Sequence, residues 1–265
     1  MAAFIDLELI IPEVQIKLEE RVIVASSVTD VSSRVIKGTK TVNYPTLAPV
    51  EGQNVGIDAD FSTSEQDANY GDDSFDLQEK LGHLFRINPH IDDQNIFDTA
   101  ADQTDAALYA IAKQADRSLI SKLDAGADTA GNNVTPTADI IADFLSMMEV
   151  LDNQNVPEDD RYFLATNADI KSLRTAVKDF IRFETDKNGV IGELYGVPVL
   201  KSNFSQLTDS LMYHKLACAY AWGPRLLLMK DPNSVGTKLL FSISKMFGGK
   251  VTQSGKMVVV RRAAV

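Results

Sequence analysis

The sequence holds one cysteine and three histidines in 265 residues. The lone Cys218 excludes an intrachain disulfide and any multi-cysteine metal site, and it fits a reducing compartment. So few histidines leave little material for acid–base catalysis near neutral pH. No apolar run approaches the roughly 20 residues of a membrane span. The start, Met1-Ala2-Ala3-Phe4, lacks the basic segment and apolar core of a secretory signal. Positive charge is scarce too: 26 Lys and Arg stand against 37 Asp and Glu, for a net charge of −11. An acidic chain repels phosphate backbones, which argues against reading nucleic-acid sequence.

The charge is unevenly spread. Residues 51–79 carry nine acids and no Lys or Arg, whereas residues 232–265 carry six bases (Lys238, Lys245, Lys250, Lys256, Arg261, Arg262) and no acid. Two solvated faces of opposite sign would explain this. Alternatively, the acidic stretch of one subunit meets the basic stretch of its neighbour and sets the register between them.

What is present begins with Asp92–Gly126. Ile96, Ala100, Thr104, Leu108, Ile111, Ala115, Leu119 and Leu123 recur in steps that place them on one helix face. Asp92 or Asp93 can cap the start, and Gly126 suits the stop. About 30 residues at about 1.5 Å each predict a rod on the order of 45 Å. Its back, including Asp98, Asp102, Asp105, Lys113, Asp116 and Arg117, reads as polar. Such a helix lies on one neighbour and shows its back to water or to another subunit.

Before it, residues 1–33 read as an arm too poor in periodicity for a core of its own. Val35–Tyr44 predicts a strand closed by Pro45, and Leu81, Phe85 and Ile87 mark a second strand. The acidic stretch between them alternates at Val55, Ile57, Ala59 and Phe61. It is too poor in apolar area to pack on itself, so it reads as a protruding hairpin resting on another surface. After the long helix, Asp124–Asn133 reads as a loop. Thr135–Pro136 starts a helix that buries Ile140, Ile141, Phe144, Leu145, Met148 and Leu151. Arg161–Thr166 is a strand, and Asn167 caps a helix with Ile170, Leu173, Val177 and Phe180 inward. Arg182–Gly192 is a polar loop, Val197–Lys201 a strand, and His214–Ala221 a short helix. Lys238–Phe247 and Met257–Arg262 are strands joined through Phe247-Gly248-Gly249-Lys250. The mixed order of elements gives an α+β class.

Catalytic motifs are missing. His83 and His90, near Asp92 and Asp93, lack the i, i+4 spacing of a helix-borne metal pair, and strand and turn histidines account for them. His214 reads as structural, and Cys218 as a small buried hydrophobe. Gly189, Gly192 and Gly196 do not have the spacing of a dinucleotide loop. Gly255-Lys256 is followed by Met257, not the Ser or Thr of a phosphate loop. No nucleophile elbow occurs. The sequons at Asn133 and Asn203 have no secretory signal behind them. The residues describe a protein that holds shape and meets neighbours.

Four stretches match parts of a known family. Asn155-Val156-Pro157-Glu158-Asp159-Asp160-Arg161-Tyr162-Phe163-Leu164 looks like its helix-to-strand turn. Gly192-Glu193-Leu194-Tyr195-Gly196-Val197-Pro198-Val199-Leu200-Lys201-Ser202 looks like its glycine-led strand. Tyr213-His214-Lys215-Leu216-Ala217 looks like its short helix. Met246-Phe247-Gly248-Gly249-Lys250-Val251 with Met257-Val258-Val259-Val260 looks like its closing hairpin. Over nearly its whole length the chain resembles the major capsid (coat) proteins of tailed bacteriophages.

The resemblance implies an N-terminal arm (1–33) and an extended loop with flanking strands (34–90). It implies a peripheral domain with the long helix as spine (91–134) and an axial domain (135–231) with Arg182–Gly192 at its tip. C-terminal strands (232–265) would complete the peripheral domain. It further implies a structural protein, not an enzyme, with no catalytic, cofactor or metal residue. Hexamers and pentamers would assemble into an icosahedral shell around double-stranded DNA, bound without sequence specificity. The expected place is the virion capsid, assembled in the host cytoplasm, with portal and decoration proteins as partners and no membrane. Because the arm begins almost at Met1, a separate scaffolding protein, or none, replaces the N-terminal scaffolding segment of many relatives. Some relatives crosslink a loop lysine to a neighbour's asparagine. Lys40 and Lys80 flank the acidic loop here, and nothing marks either as reactive. A prokaryotic nanocompartment shell shares the fold, and a soluble α+β enzyme is the reading from another class.

Overall fold

A computed structural model describes residues 23–36, 39–47, 70–87, 99–176, 189–201, 207–231, 239–252 and 256–262. Several expectations fall outside that set: the arm up to residue 22, the Val55–Phe61 alternation, His90, the helix start at Asp92, Val177 and Phe180, and residues 182–188.

The long helix α1, Thr99–Ala130, has 32 residues and is therefore about 48 Å long. From Leu108 onward its expected stripe is buried, with Leu108, Ile111, Ala115, Leu119 and Leu123 at most 1% exposed, while Thr104 is half-buried. Each large member contributes about 1.5–3 kcal/mol by leaving water. The helix does not stop at Gly126, so most of the expected 124–133 loop is helical. It ends at Gly131, whose φ of 68° is the left-handed conformation that an L side chain resists. There Gly131 N–H reaches Asp128 O and Asn132 N–H reaches Ala127 O, both at 3.1 Å, the paired bonds of a Schellman stop.

One face of a four-stranded sheet packs on α1. Its order is β1 (Thr29–Asp30), β10 (Cys218–Asp231), β11 (Leu239–Val251) and β4 (Glu79–Ile87). Leu81, Phe85, Trp222, Leu226 and Ile243 meet the helix stripe in one core. The expected helix at His214–Ala221 is only a single 3-10 turn, Lys215–Ala217, followed by β10. Long-range pairing overrides the alanine-rich propensity here. Both faces of the first part of β10 are buried: Cys218, Tyr220 and Trp222 face α1, while Ala219 and Ala221 lie in a second cluster with Val42, Phe75 and Leu77. Those last residues belong to, or directly follow, a two-stranded ribbon of β2 (Thr41–Leu47) and β3 (Tyr70–Asp76). So the first strand begins at Thr41, not Val35. Pro45 lies within it, which a two-stranded ribbon tolerates because each strand is an edge.

Phe247-Gly248-Gly249-Lys250 is not a turn either. It lies inside β11, paired with β10. Gly248 is needed for close approach: a Cβ there would stand 2.6 Å from Asp76 O. The strand expected to close a hairpin with it, β12 (Val258–Arg261), joins a different sheet.

That six-stranded sheet has the order β5 (Asn133–Val134), β12, β9 (Ser210–His214), β6 (Arg161–Ala165), β8 (Val197–Lys201) and β7 (Val190–Leu194). Gly192 is therefore strand, not loop. Helices α2 (Ile140–Asn153) and α3 (Asn167–Ala176) cover it and form a separate core around Phe144, Met147, Phe163 and Val259. α2 starts after Asp139, whose Oδ1 accepts from Ile141 N–H at 3.0 Å, and not at Thr135–Pro136. Its buried face is Ile140, Asp143, Phe144, Met147 and Leu151. Leu145, expected inside, is 45% exposed, and Ile141 and Met148 are half-buried. At the start of α3 the cap comes from Thr166, whose hydroxyl accepts from Asp169 N–H.

Candidate interaction surfaces and internal anchors

The residues screened for chemistry are spread apart. His83 is exposed on β4, its ring stacked near Phe85, and among the described residues no cluster of metal-ligating side chains forms. His214 is buried, and its Nδ1 accepts from Leu216 N–H at 3.1 Å. Burial lowers its pKa, so the ring is neutral at pH 7. Cys218 is fully buried, and burial pushes its thiol up to about 12, far from a reactive thiolate. Lys40 and Lys80 are exposed at the root of the ribbon.

The basic C-terminal stretch is largely engaged within its own chain. Arg261 contacts Asp143 of α2 and Asp169 of α3, both at 2.8 Å. At Asp143 burial raises the pKa, but the Thr137 hydrogen bonds and the Arg261 guanidinium outweigh it and hold the carboxyl below its ordinary value. Arg262 takes Asp124 and Asp128 of α1 and Asp209 before β9, at 2.6, 2.7 and 2.8 Å. These two arginines fasten β12 to both helical layers. Lys245 is 3% exposed, its Nζ 5.1 Å from the Trp222 ring centroid. Lys250 and Lys256 are exposed, with Lys250 Nζ 3.4 Å from Ser74 O.

Asp116 was expected on the polar back of α1, yet it is 1% exposed. Its carboxylate accepts from three consecutive amides, Ile23, Val24 and Ala25, at 3.0, 3.1 and 3.1 Å. The available signal was its place three residues before the stripe residue Leu119 and four after Ala112, which is also buried.

Away from the ribbon, the other face of the four-stranded sheet is exposed among the described residues. Leu84 and Met229 lie opposite Ser242 in one cross-strand row, and Leu227 opposite Ser244 in the next. Leu84, Leu227 and Met229 are 58%, 46% and 62% exposed. A solvated antiparallel face normally carries polar residues there. Lys80, Arg86 and Arg225 are exposed on the same three-stranded region. A cleft of about 230 Å³ opens between α1 and Leu207–Leu211, lined by Arg117, Ser121, Asp124, Thr208 and Asp209 over apolar Ile120 and Leu211. It is small and shallow beside a substrate pocket of about 300–1,000 Å³.

A long helix packed on a four-stranded sheet, with a separate six-stranded sheet and a two-stranded ribbon, has structural counterparts. The capsid protein of Ralstonia phage GP4 superposes with a TM-score of 0.68 at 11% identity, covering 94% of this chain and 91% of that one. The capsid of cyanophage P-SCSP1u gives 0.65 at 18% identity, covering 90% and 86%. The chain has the phage capsid-protein fold. A virus-like particle from Pyrococcus furiosus shares the capsid fold to the same degree, at 0.66 and 11% identity, covering 96% and 98%. No family model matches the sequence, and no curated protein matches it. At these identities the likeness lies in architecture, and the expected α+β class with spine helix and peripheral sheet agrees with it.

Proposed function

We propose that this chain is the major capsid subunit of a tailed bacteriophage. It self-assembles as hexamers and pentamers into an icosahedral shell around double-stranded DNA. The observation that carries this reading is fold likeness to phage capsid proteins over nine-tenths of this chain. The outward Leu84, Leu227 and Met229 support it, because a sheet face this apolar suits burial against another copy. Many modest contacts of that kind sum to a stable closed container.

In this reading the chain divides as residues 1–33 arm, 34–90 extended loop and 91–134 spine. Residues 135–231 form the axial domain and 232–265 the closing strands, with β10 lending itself to the peripheral sheet. Portal, decoration and scaffolding proteins are its expected partners, and the virion its place. The net charge of −11 keeps the inner wall from gripping packaged DNA.

Negative-stain electron microscopy of purified protein after size-exclusion chromatography tests the proposal. Closed shells or capsomer rings support it. A uniform small globule that stays unassembled at high concentration and with crowding agents refutes self-assembly. The likeness to the Pyrococcus furiosus particle favours a second reading, a nanocompartment shell. Protein cargo without nucleic acid in purified particles would select it.

A further inference from the structure

The chain passes between its two larger sheets three times: through α1, through Lys215–Ala217 from β9 to β10, and through residues 252–257 from β11 to β12. The second and third passages are tied to each other. Thr252 N–H donates to Ala217 O at 3.0 Å and His214 N–H to Met257 O at 3.1 Å, while the Thr252 hydroxyl donates to Leu216 O. Thr29 of β1 adds a hydroxyl to Lys215 O at 3.1 Å. The turn before β6 joins the same node. There Lys215 N–H donates to Asp160 O at 3.0 Å, and Asp160 is held at φ of 57°, in the left-handed region.

The His214 side chain stands at this node, 4% exposed. Its Nδ1 accepts from Leu216 N–H at 3.1 Å and so caps the 3-10 turn. The ring also donates to Asp159 O. With Nδ1 an acceptor, that donor is Nε2–H, so the bonds themselves specify the neutral ring protonated on Nε2. One ring thus brackets two turns, with opposite demands on its two nitrogens. A second proton would have to sit on Nδ1, facing the Leu216 N–H. Donor would meet donor there and the cap would be lost, while the bond from Nε2–H to Asp159 O would stay intact. The charges around the ring do not reverse this. Burial above all opposes a second proton, and so do Arg161, its cross-strand neighbour in β6, and the adjoining Lys215, whereas Asp160 favours it. β1 and the 252–257 passage meet the node through Thr29, Thr252 and Met257, none of them charged.

We propose that His214 is an acid-sensitive bracket at the junction of the two sheets: neutral, it caps the Lys215–Ala217 turn, and protonated, it releases that turn while keeping its hold on Asp159. The sign follows from the same bonds. Only the closed turn demands a bare Nδ1, so the opened turn binds the proton more tightly. Opening is therefore favoured as pH falls through the ordinary histidine value of 6.5. While the closed ring stays neutral, opening gains up to roughly 10-fold between pH 7.5 and pH 5.5. The bracket lies within one subunit and does not depend on the capsid reading.

The test is hydrogen exchange on dissociated full-length subunits, corrected for intrinsic rates, at pH 7.5 and pH 5.5. Protection of the Leu216 amide is expected to fall in acid by up to roughly 10-fold, beyond any change at Phe163 and Val259, buried residues of the six-stranded sheet that serve as controls. His214→Asn places an amide oxygen near the position of Nδ1 and cannot titrate, so it should keep the cap and lose the pH response. Nitrogen-15 NMR of the wild-type ring gives a second reading that needs no variant: at pH 7.5 Nε2 should carry the proton and Nδ1 none. A proton on Nδ1 at pH 7.5, a Leu216 amide that follows the controls, or an asparagine variant with the full pH response would overturn the bracket. The wild-type measurements decide the matter even if the variant fails to fold.

Discussion

Replacing Arg261 with methionine removes one guanidinium from two carboxylates, and the structure sets what that costs. Arg261 is 13% exposed, Asp143 2% and Asp169 9%. Asp143 keeps the Thr137 N–H at 2.9 Å and hydroxyl at 2.6 Å, and Asp169 keeps the Ser210 hydroxyl. Breaking a buried pair from one side costs about 3–5 kcal/mol. The surviving hydrogen bonds place this case near the low end, about 3 kcal/mol. For a chain of this size that is a fall in Tm of roughly 6–12 °C. The pH dependence sharpens the test. In the wild type Asp143 is held below its ordinary 3.8, so its contribution is present at neutral pH and is lost as pH falls through the lowered value. Without Arg261, only the Thr137 hydrogen bonds are left to oppose burial, and the carboxyl protonates more readily. The gap between wild type and variant should therefore narrow from pH 7 toward pH 4. Thermal unfolding of dissociated subunits, followed by circular dichroism at both pH values, measures it. A variant within about 1 °C of wild type at pH 7, or a gap that widens in acid, would falsify this account of the network.

Three further outcomes are expected. Lys245→Glu should unfold or strongly destabilise the subunit, because Lys245 is 3% exposed against Trp222, whereas Lys250→Glu should fold; equal soluble yield would contradict this. Gly248→Ala should cost about 1–3 kcal/mol, since the new methyl meets backbone of the ribbon root, and an unchanged denaturation midpoint would sink the argument. Leu84→Asp with Met229→Asp should leave subunits folded by circular dichroism yet lower particle yield by sedimentation; full yield would remove the outer sheet face from the assembly surface.

How much could be read beforehand differs from element to element. The α1 stripe was legible because five buried positions share one helical period, and β8 was legible as an apolar run bounded by Gly196 and polar residues. β10 was not. Its alanines signal a helix, and only pairing with β11 on one side and β1 on the other, under the ribbon, makes them strand residues. The double glycine in β11 looked like a turn because close approach to Asp76 is invisible without the ribbon's position. Asp116 was misjudged for the same reason: its three donors lie more than 90 residues earlier. The charge segregation was visible, but not that Arg261 and Arg262 answer acids of their own chain. Local period was readable, and contacts across long sequence distance were not.

The position of β12 has a consequence for timing. This short strand lies between β5 and β9, in the interior of the six-stranded sheet, yet it leaves the ribosome after every other strand of that sheet. While residues 258–261 are unmade, β9 lacks one neighbour and β5 has none. Arg261 and Arg262 are also missing, so five aspartates wait without their cations. A nascent chain therefore holds an open, charge-unbalanced sheet until synthesis has passed this point. Completion of the six-stranded sheet, and any association between copies that depends on it, waits until residues 258–262 have emerged.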